Sequence, residues 1–210
     1  MSGDGVLSIE RHAPGAQPVF FYDLGSPEAY LAAERVNQAL GAVPEWEPVL
    51  LADLPGAVAL DAFRCAQERD VHMLDLERRA AGQGLQRLRW PPAWPFDSSL
   101  AMLVATYSKG IGRAVAFSLA AFRQAFAAGR DLATPDGVVI AAAACEMHPR
   151  AVLQAAELKS VSEALERANG RAAAAGVTTV PAILTGKTLH QGPGAVDGAA
   201  AALRAGAGAP

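Results

Sequence analysis

The sequence predicts an α/β fold in which a βαβ start and a ββα end enclose a long all-helical insertion. Two strand-like runs, "PVFFYD" and "EWEPVL", flank the helix-forming segment "EAYLAAERVNQAL". A stretch of ~100 residues without a convincing strand follows, and strand character returns only in "TVPAILTGK" and "TLHQ". We therefore expect one compact unit made of an N-terminal arm (1–17), a strand-containing part (18–56 and 176–210, with a helix at about 161–175) and a helical insertion (57–160).

The first unit begins with an aromatic and β-branched strand at 18–23. Ser26 and Pro27 are favoured residues for a helix start, and Gly41 ends the helix predicted over 28–40. The second strand, 45–50, contains Pro48, which lacks an N–H group and so indicates an edge strand or a bulge.

The insertion is predicted as helices separated by proline, glycine and capping residues. They cover 61–80, 98–110, 112–129, a segment opened by Thr134 and Pro135, 149–158 and 160–175. Three prolines in "LRWPPAWPF" separate the first of these helices from the second. A hairpin around Thr185-Gly186-Lys187 and a small-residue helix over 195–206 complete the expected fold.

Composition and charge exclude several classes of protein. The 210 residues are 51% apolar and 19% charged, with a formal net charge of −3, so neither nucleic acid nor an anionic membrane is an expected partner. No apolar run approaches the ~20 residues of a membrane span, and the N-terminus does not read as a secretory signal, so a cytoplasmic protein is expected. Cys65 and Cys145 belong to no C-x-x-C pair and are expected to be buried or half-buried; no dithiol or metal site is expected.

Two motifs are candidates for chemistry. Ser26 is a good helix cap, and the same geometry places its hydroxyl beside free N–H groups and the positive end of the helix dipole, where an anion is stabilised. The second motif, "GVTTVPAIL", contains Val180-Pro181. It is either a structural turn or a cis-proline site at which the Val180 backbone pairs with an extended ligand.

The two motifs together resemble a known family. A strand ending before Ser-Pro-x-x-Tyr on a helix, a helical insertion and a late Val-Pro that leads into a hairpin are similar to the DsbA-like branch of the thioredoxin superfamily. Serine in place of the first redox cysteine, within "YDLGSPEAYLA", resembles the 2-hydroxychromene-2-carboxylate isomerase and kappa-class glutathione transferase group. "WPPAWPFDSSLAM" resembles the proline-rich loop of that group.

The resemblance implies a glutathione-dependent isomerase or transferase acting on a small conjugated or aromatic substrate. Ser26 would be catalytic by stabilising the thiolate of the cofactor, while Val180 and Pro181 would bind its cysteinyl part. Tyr22 and Asp23 border the turn and would also line the cofactor pocket, although Tyr22 could equally be a core residue of the strand. Substrate-pocket candidates are Tyr30, Trp90 and Trp94, where the two tryptophans form either an aromatic wall or only a rigid loop.

The sequence departs from this group at two glutathione anchors. Pro193 and Gly194 stand where polar side chains are expected, and the segment after the second strand offers only Asp53. Two alternatives therefore stay open: a different low-molecular-weight thiol as cofactor, or a non-catalytic relative that binds a peptide or small molecule. A homodimer also stays open.

Overall fold

A four-stranded sheet lies at the centre of the computed structural model, which describes residues 17–207. The strands are β1 (Val19–Tyr22), β2 (Glu45–Pro48), β3 (Ala182–Thr185) and β4 (Thr188–Gln191), in the order β2-β1-β3-β4. β1 pairs in parallel with β2 and antiparallel with β3, which pairs antiparallel with β4. The βαβ start, the edge position of the Pro48 strand and the hairpin are confirmed. The predicted arm lies outside the described residues except for Gln17.

The sheet is held by aromatic side chains from its two neighbouring N-terminal strands. Phe20 and Tyr22 stack at 5.4 Å between ring centroids, and Trp46 of β2 meets both rings edge-on at 5.0 and 5.5 Å. All three are buried, and such edge-on contacts are favourable beyond the area that they bury. This cluster fixes the end of β1 from which the candidate site begins.

The single helix predicted over 28–40 is two helices, α1 (Pro27–Ala33) and α2 (Val36–Ala39). Neither proline nor glycine causes the break. Arg35 adopts a φ of −122°, and tertiary ion pairs hold both residues between the helices: Glu34 binds Arg123, and Arg35 binds Asp197. Contacts distant in sequence thus override a continuous helical propensity.

The insertion contains helices α3 (Ala66–Gly82), α4 (Ser99–Gly110), α5 (Ala114–Phe126), α6 (Pro135–Ala143) and α7 (Pro149–Ala156); α8 (Lys159–Ala174) and α9 (Ala195–Ala207) flank the hairpin. Thr134 caps α6 as predicted, accepting from the Gly137 N–H at 3.2 Å. The prediction that a helix begins at residue 61 was wrong. Cys65 is extended, and the Glu68 carboxylate accepts from the Arg64 N–H at 2.7 Å, which delays the helix start.

Candidate functional site

Ser26 caps the helix that follows β1. Its Oγ accepts a hydrogen bond from the Ala29 N–H at 3.1 Å, and Pro27 occupies the first helical position. The residue has no exposed surface. Its side chain therefore stands at the N-terminus of α1, surrounded by protein, with the helix dipole directed at it.

The Val180 backbone lies opposite Ser26. Ser26 Oγ and the Val180 carbonyl oxygen are 3.5 Å apart, and the Val180–Pro181 peptide bond is cis. Within residues 17–207, no group accepts a hydrogen bond from the Val180 N–H. The structure thus brings the two sequence motifs together, with one backbone donor left free for a ligand.

A cavity of about 160 Å³ is lined by Val180 of this pair, whereas Ser26 lies buried behind the lining. It is enclosed by α1, α3, the segment before α3, the proline-rich loop and the two loops beside Pro181, through Glu28, His72, Leu60, Phe63, Trp94, Thr179, Val180, Gly192 and Pro193. Apolar and aromatic groups dominate this lining, and among residues 17–207 Glu28 and His72 are the ionisable side chains in it. Such a lining is typical of a small-molecule site.

The two tryptophans of the proline-rich loop occupy different positions. Trp94 borders the cavity, and its Nε1 donates to the Gly25 carbonyl at 3.1 Å, so the ring covers the turn without filling the cavity. Trp90 lies behind it at 4.8 Å between ring centroids and donates to Glu77 at 2.9 Å. The expectation that both rings form a wall of the substrate pocket is therefore corrected for Trp90.

Glu28 and His72 form a pair across the cavity that sequence reasoning missed. His72 Nε2 lies 3.0 Å from Glu28 Oε1, and this hydrogen bond raises the pKa of His72 against the opposing effect of burial. The imidazole packs against Phe63 and Trp94. Glu28, an acid directly after Ser-Pro on an otherwise apolar helix, was the signal available; nothing in the sequence connected it to His72.

Tyr22 and Tyr30 are core residues, which corrects their assignment to the pocket. The Tyr22 hydroxyl pairs with Ser118 Oγ at 2.6 Å, and burial raises the pKa of Tyr22. Tyr30 stacks on Phe126 at 5.8 Å, and burial raises its pKa to about 12. Neither ring borders the cavity. Both helix and strand here point their aromatic side chains into the sheet–helix interface.

Asp23 builds the turn and does not reach the cavity beside Ser26. Its two carboxylate oxygens accept from the Gly25 N–H at 2.8 Å and the Leu51 N–H at 2.9 Å. Burial raises the pKa of Asp23, and these hydrogen bonds oppose the shift. Asp23 thus braces the end of β1 against the segment after β2, and its expected contact with a cofactor stays a prediction.

A second cavity, of about 280 Å³, lies on the other side of the segment before α3 and is bordered by Asp23. Ala59 and Leu60 line both cavities. The Val58 N–H donates to the Thr178 carbonyl at 2.9 Å, which ties this segment across the site. A Cβ at Gly25 would lie 3.1 Å from Leu60 Cδ1 and 3.3 Å from Asp23 Oδ1, so a larger residue there would require these neighbours to shift by a few tenths of an ångström.

The residues at and near the two positions of departure from the glutathione anchors do not all reach the cavity of about 160 Å³. Pro193 lines it, whereas Asp53 hydrogen-bonds Asn169 at 3.4 Å and Asp197 is paired with Arg35. Of the two cysteines, Cys145 is buried, but Cys65 is exposed, contrary to expectation. Residues 17–207 contain no group of three or more His, Cys, Asp or Glu side chains suited to a metal ion, and no helix there is long and apolar enough to span a membrane.

The family model of the DsbA-like thioredoxin domain matches residues 19–204. The chain belongs to the DsbA-like thioredoxin domain family. The resemblance drawn from Ser26 and Val180-Pro181 is thereby confirmed, as is a thioredoxin-like fold with a helical insertion. A search of curated proteins finds no match.

Solved structures agree with this DsbA-like fold. A 2-hydroxychromene-2-carboxylate isomerase superposes with a TM-score of 0.75 at 18% identity, covering 90% of this chain and 95% of its own. A probable DsbA oxidoreductase from Streptomyces coelicolor gives 0.74 at 20% identity, covering 92% and 91%. The cytosolic disulfide reductase DsbM from Pseudomonas aeruginosa, in a structure with GSH, gives 0.61 at 12% identity, covering 91% and 98%.

Proposed function

We propose that this DsbA-like protein binds a low-molecular-weight thiol, glutathione or a relative, with its sulfur between Ser26 and Val180. The proposal extends to an isomerase or transferase reaction on a small conjugated or aromatic substrate. One observation carries it: the Ser26 hydroxyl, at the N-terminus of α1, lies 3.5 Å from the carbonyl of Val180, and Val180 lines a partly aromatic cavity.

The Ser26 hydroxyl has a proton to give. A serine hydroxyl has one donor and two acceptor sites, and here one acceptor site takes the Ala29 N–H at 3.1 Å. The proton itself is directed at the Val180 carbonyl across 3.5 Å, which is a weak hydrogen bond. A thiolate would be a better acceptor, and the N-terminus of α1 would favour its charge.

The Val180 N–H supplies a second donor. It has no acceptor within residues 17–207, and Val180 lines the cavity. An extended ligand could therefore pair with this group, as peptides pair with free backbone groups at sheet edges. At about 160 Å³ the cavity is smaller than an ordinary ligand pocket, so it suits the sulfur end of the thiol. The second cavity lies beyond Ala59 and Leu60 and has a volume of about 280 Å³. It suits the remainder of the thiol cofactor or the substrate.

The bound thiolate would be the nucleophile. In an isomerase reaction, the thiolate adds to a conjugated carbon–carbon double bond, which becomes a single bond and can rotate. Elimination then restores both the double bond and the thiolate. Support for the class comes from the similarity to the isomerase and from the GSH in the DsbM structure. A cytoplasmic location goes with this proposal, because thiols stay reduced there.

A second candidate is a binding protein without catalysis. Ser26 is fully buried and Trp94 covers its turn, while Pro193 replaces a polar anchor at the cavity. These observations favour a site that takes up a peptide or small molecule and does not activate a thiol.

Calorimetry with reduced glutathione, cysteine, cysteamine and coenzyme A decides between them. Ser26→Ala should weaken the binding of the preferred thiol by about 10- to 150-fold, since a hydrogen bond to a charged group contributes about 1.5–3 kcal/mol. Thr134→Ala is the matched control, because Thr134 caps α6 in the same way but does not border either cavity. No thiol binding by folded wild-type protein would overturn the proposal and favour the binding protein.

A further inference from the structure

We infer that Glu28 and His72 are the proton-transfer pair for the thiol bound at Ser26, an inference that rests on the proposed function. The two residues come from different elements, α1 and α3. His72 Nε2 lies 3.0 Å from Glu28 Oε1, and both side chains line the cavity that Val180 also borders. Among the lining residues that the structure describes, no other side chain is ionisable.

The imidazole is held in one orientation. Its plane lies within 12° of the Trp94 ring, at 6.5 Å between centroids, and Phe63 packs against it at 5.4 Å. The Glu28 side chain is only 15% exposed, so its hydrogen bond to His72 is largely shielded from water. Catalytic bases need this kind of fixed ring, because proton transfer depends on distance and direction.

The hydrogen bond also determines the tautomer. Glu28 is an acceptor, so a neutral His72 carries its proton on Nε2 and keeps Nδ1 as a free acceptor. Within residues 17–207, the polar partner of the His72 ring is Glu28, and it lies at Nε2. A carboxylate orienting an imidazole toward a nucleophile is the arrangement that activates cysteine and serine nucleophiles. In this protein the nucleophile would be the sulfur of the bound thiol and not a side chain.

The proton transfer balances without any other reactant. The ligand S–H bond breaks, its proton forms an N–H bond at His72 Nδ1, and the electron pair stays on sulfur. The thiolate then accepts from the Ser26 hydroxyl, while the imidazolium is stabilised by the Glu28 carboxylate. When the thiol leaves, the imidazolium returns the proton to sulfur.

The charges around His72 favour this ion pair. Glu28 faces it from α1, and Asp75 and Arg79 act on it from its own helix with opposite signs. The neighbours from the other elements, Phe63 and Trp94, are uncharged. An adjacent imidazolium lowers the pKa of a thiol, so the pair should be detectable by titrating any thiol placed at this position.

Ser26→Cys places such a thiol without a ligand. In a Cys65→Ala, Cys145→Ala background, the pKa of the introduced thiol is measured from thiolate absorbance and from the pH dependence of its reaction with iodoacetamide. Adding His72→Gln should raise that pKa by about one unit, a tenfold loss of reactivity well below it. Glu28→Gln should raise it by less. His148→Gln, at an exposed histidine away from the cavity, should leave it unchanged.

Equal thiol pKa values in all four proteins would overturn the inference. Circular dichroism and thermal melting confirm that each variant is folded. Because no ligand is needed, this result is independent of the calorimetry on Ser26→Ala. A thiol that binds at Ser26 while His72→Gln leaves the pKa of the introduced thiol unchanged would refute the pair alone. Absence of thiol binding would refute the proposed function and, with it, the role of the pair in activating a bound thiol.

Discussion

The site at Ser26 has two sides that differ in how their polar groups are satisfied. On the side of the strands, Tyr22 and Asp23 are buried and hydrogen-bonded within the protein. On the side of the insertion, His72 is 32% exposed. The Val180 N–H, between the two sides, has no acceptor within residues 17–207.

This difference separates stability from binding. An unpaired polar group in the core costs free energy of folding, so groups there must find partners inside the protein. A group kept for a ligand is left incompletely satisfied, and water replaces the ligand when the site is empty. Substitutions on the strand side should therefore lower stability, whereas substitutions on the insertion side should change thiol binding more than folding.

The largest effect is expected for Asp23→Ala. The substitution leaves the Gly25 and Leu51 N–H groups without their acceptor, at about 1–3 kcal/mol for each buried group, so a loss of about 3 kcal/mol in the free energy of unfolding is expected. Chemical denaturation measures it. Asp61→Ala is the control, because it removes an exposed carboxylate that lines the second cavity together with Asp23; it should change stability by less than about 0.5 kcal/mol. Equal effects would remove the structural role given to Asp23.

Tyr22→Phe should have the next largest effect on the free energy of unfolding. It removes a 2.6 Å hydrogen bond and leaves the buried Ser118 hydroxyl unpaired, with an expected loss of about 1.5 kcal/mol. Thiol affinity should stay unchanged, because Tyr22 does not border the cavity. Tyr107→Phe, at a half-buried tyrosine of α4, is the control for stability. A Tyr22→Phe variant with normal stability and weakened thiol binding would reverse the division between the two sides.

The sequence predicted the parts of the site that carry a local signal and missed the contact between two helices that are distant in the chain. Ser26-Pro27 and Val180-Pro181 each carry a signal within a few residues, and strand pairing then brings them together. His72 reaches Glu28 only because α3 packs beside α1, and the sequence of either helix alone does not specify that packing. Tyr22 and Tyr30 were misassigned for a related reason: the sequence shows that a residue lies near the turn, but not which face of the element it occupies.

Trp94→Phe tests the boundary between the two sides. The Gly25 carbonyl loses its donor and the cavity loses part of its wall, so a loss of about 1 kcal/mol in stability is expected together with weaker thiol binding. Trp90→Phe breaks a similar bond, to Glu77, behind the cavity wall. Trp90→Phe should leave thiol affinity, measured by isothermal titration calorimetry, unchanged. Equal losses of affinity in both variants would mean that the loop acts only as a rigid whole.

The smallest effect is the pH dependence of stability that comes from His72. The hydrogen bond to Glu28 raises the pKa of His72 in the folded protein above its unfolded value of about 6.5. Its contribution to stability is therefore fully present below that value and is lost as the pH rises through the folded pKa. Because the ring is partly exposed, the contribution should be only about 0.5 kcal/mol.

The measurement compares the free energy of unfolding of wild type and His72→Gln at pH 5.5 and pH 8.5. The deficit of the variant should be larger at the lower pH, and Glu28→Gln should show the same trend, since either change removes the same charge pair. The double variant should add little to either single one. A deficit that does not vary with pH would mean that His72 is held by its packing against Phe63 and Trp94. The Glu28 carboxylate would then not stabilise a His72 imidazolium, as the proposed proton transfer requires.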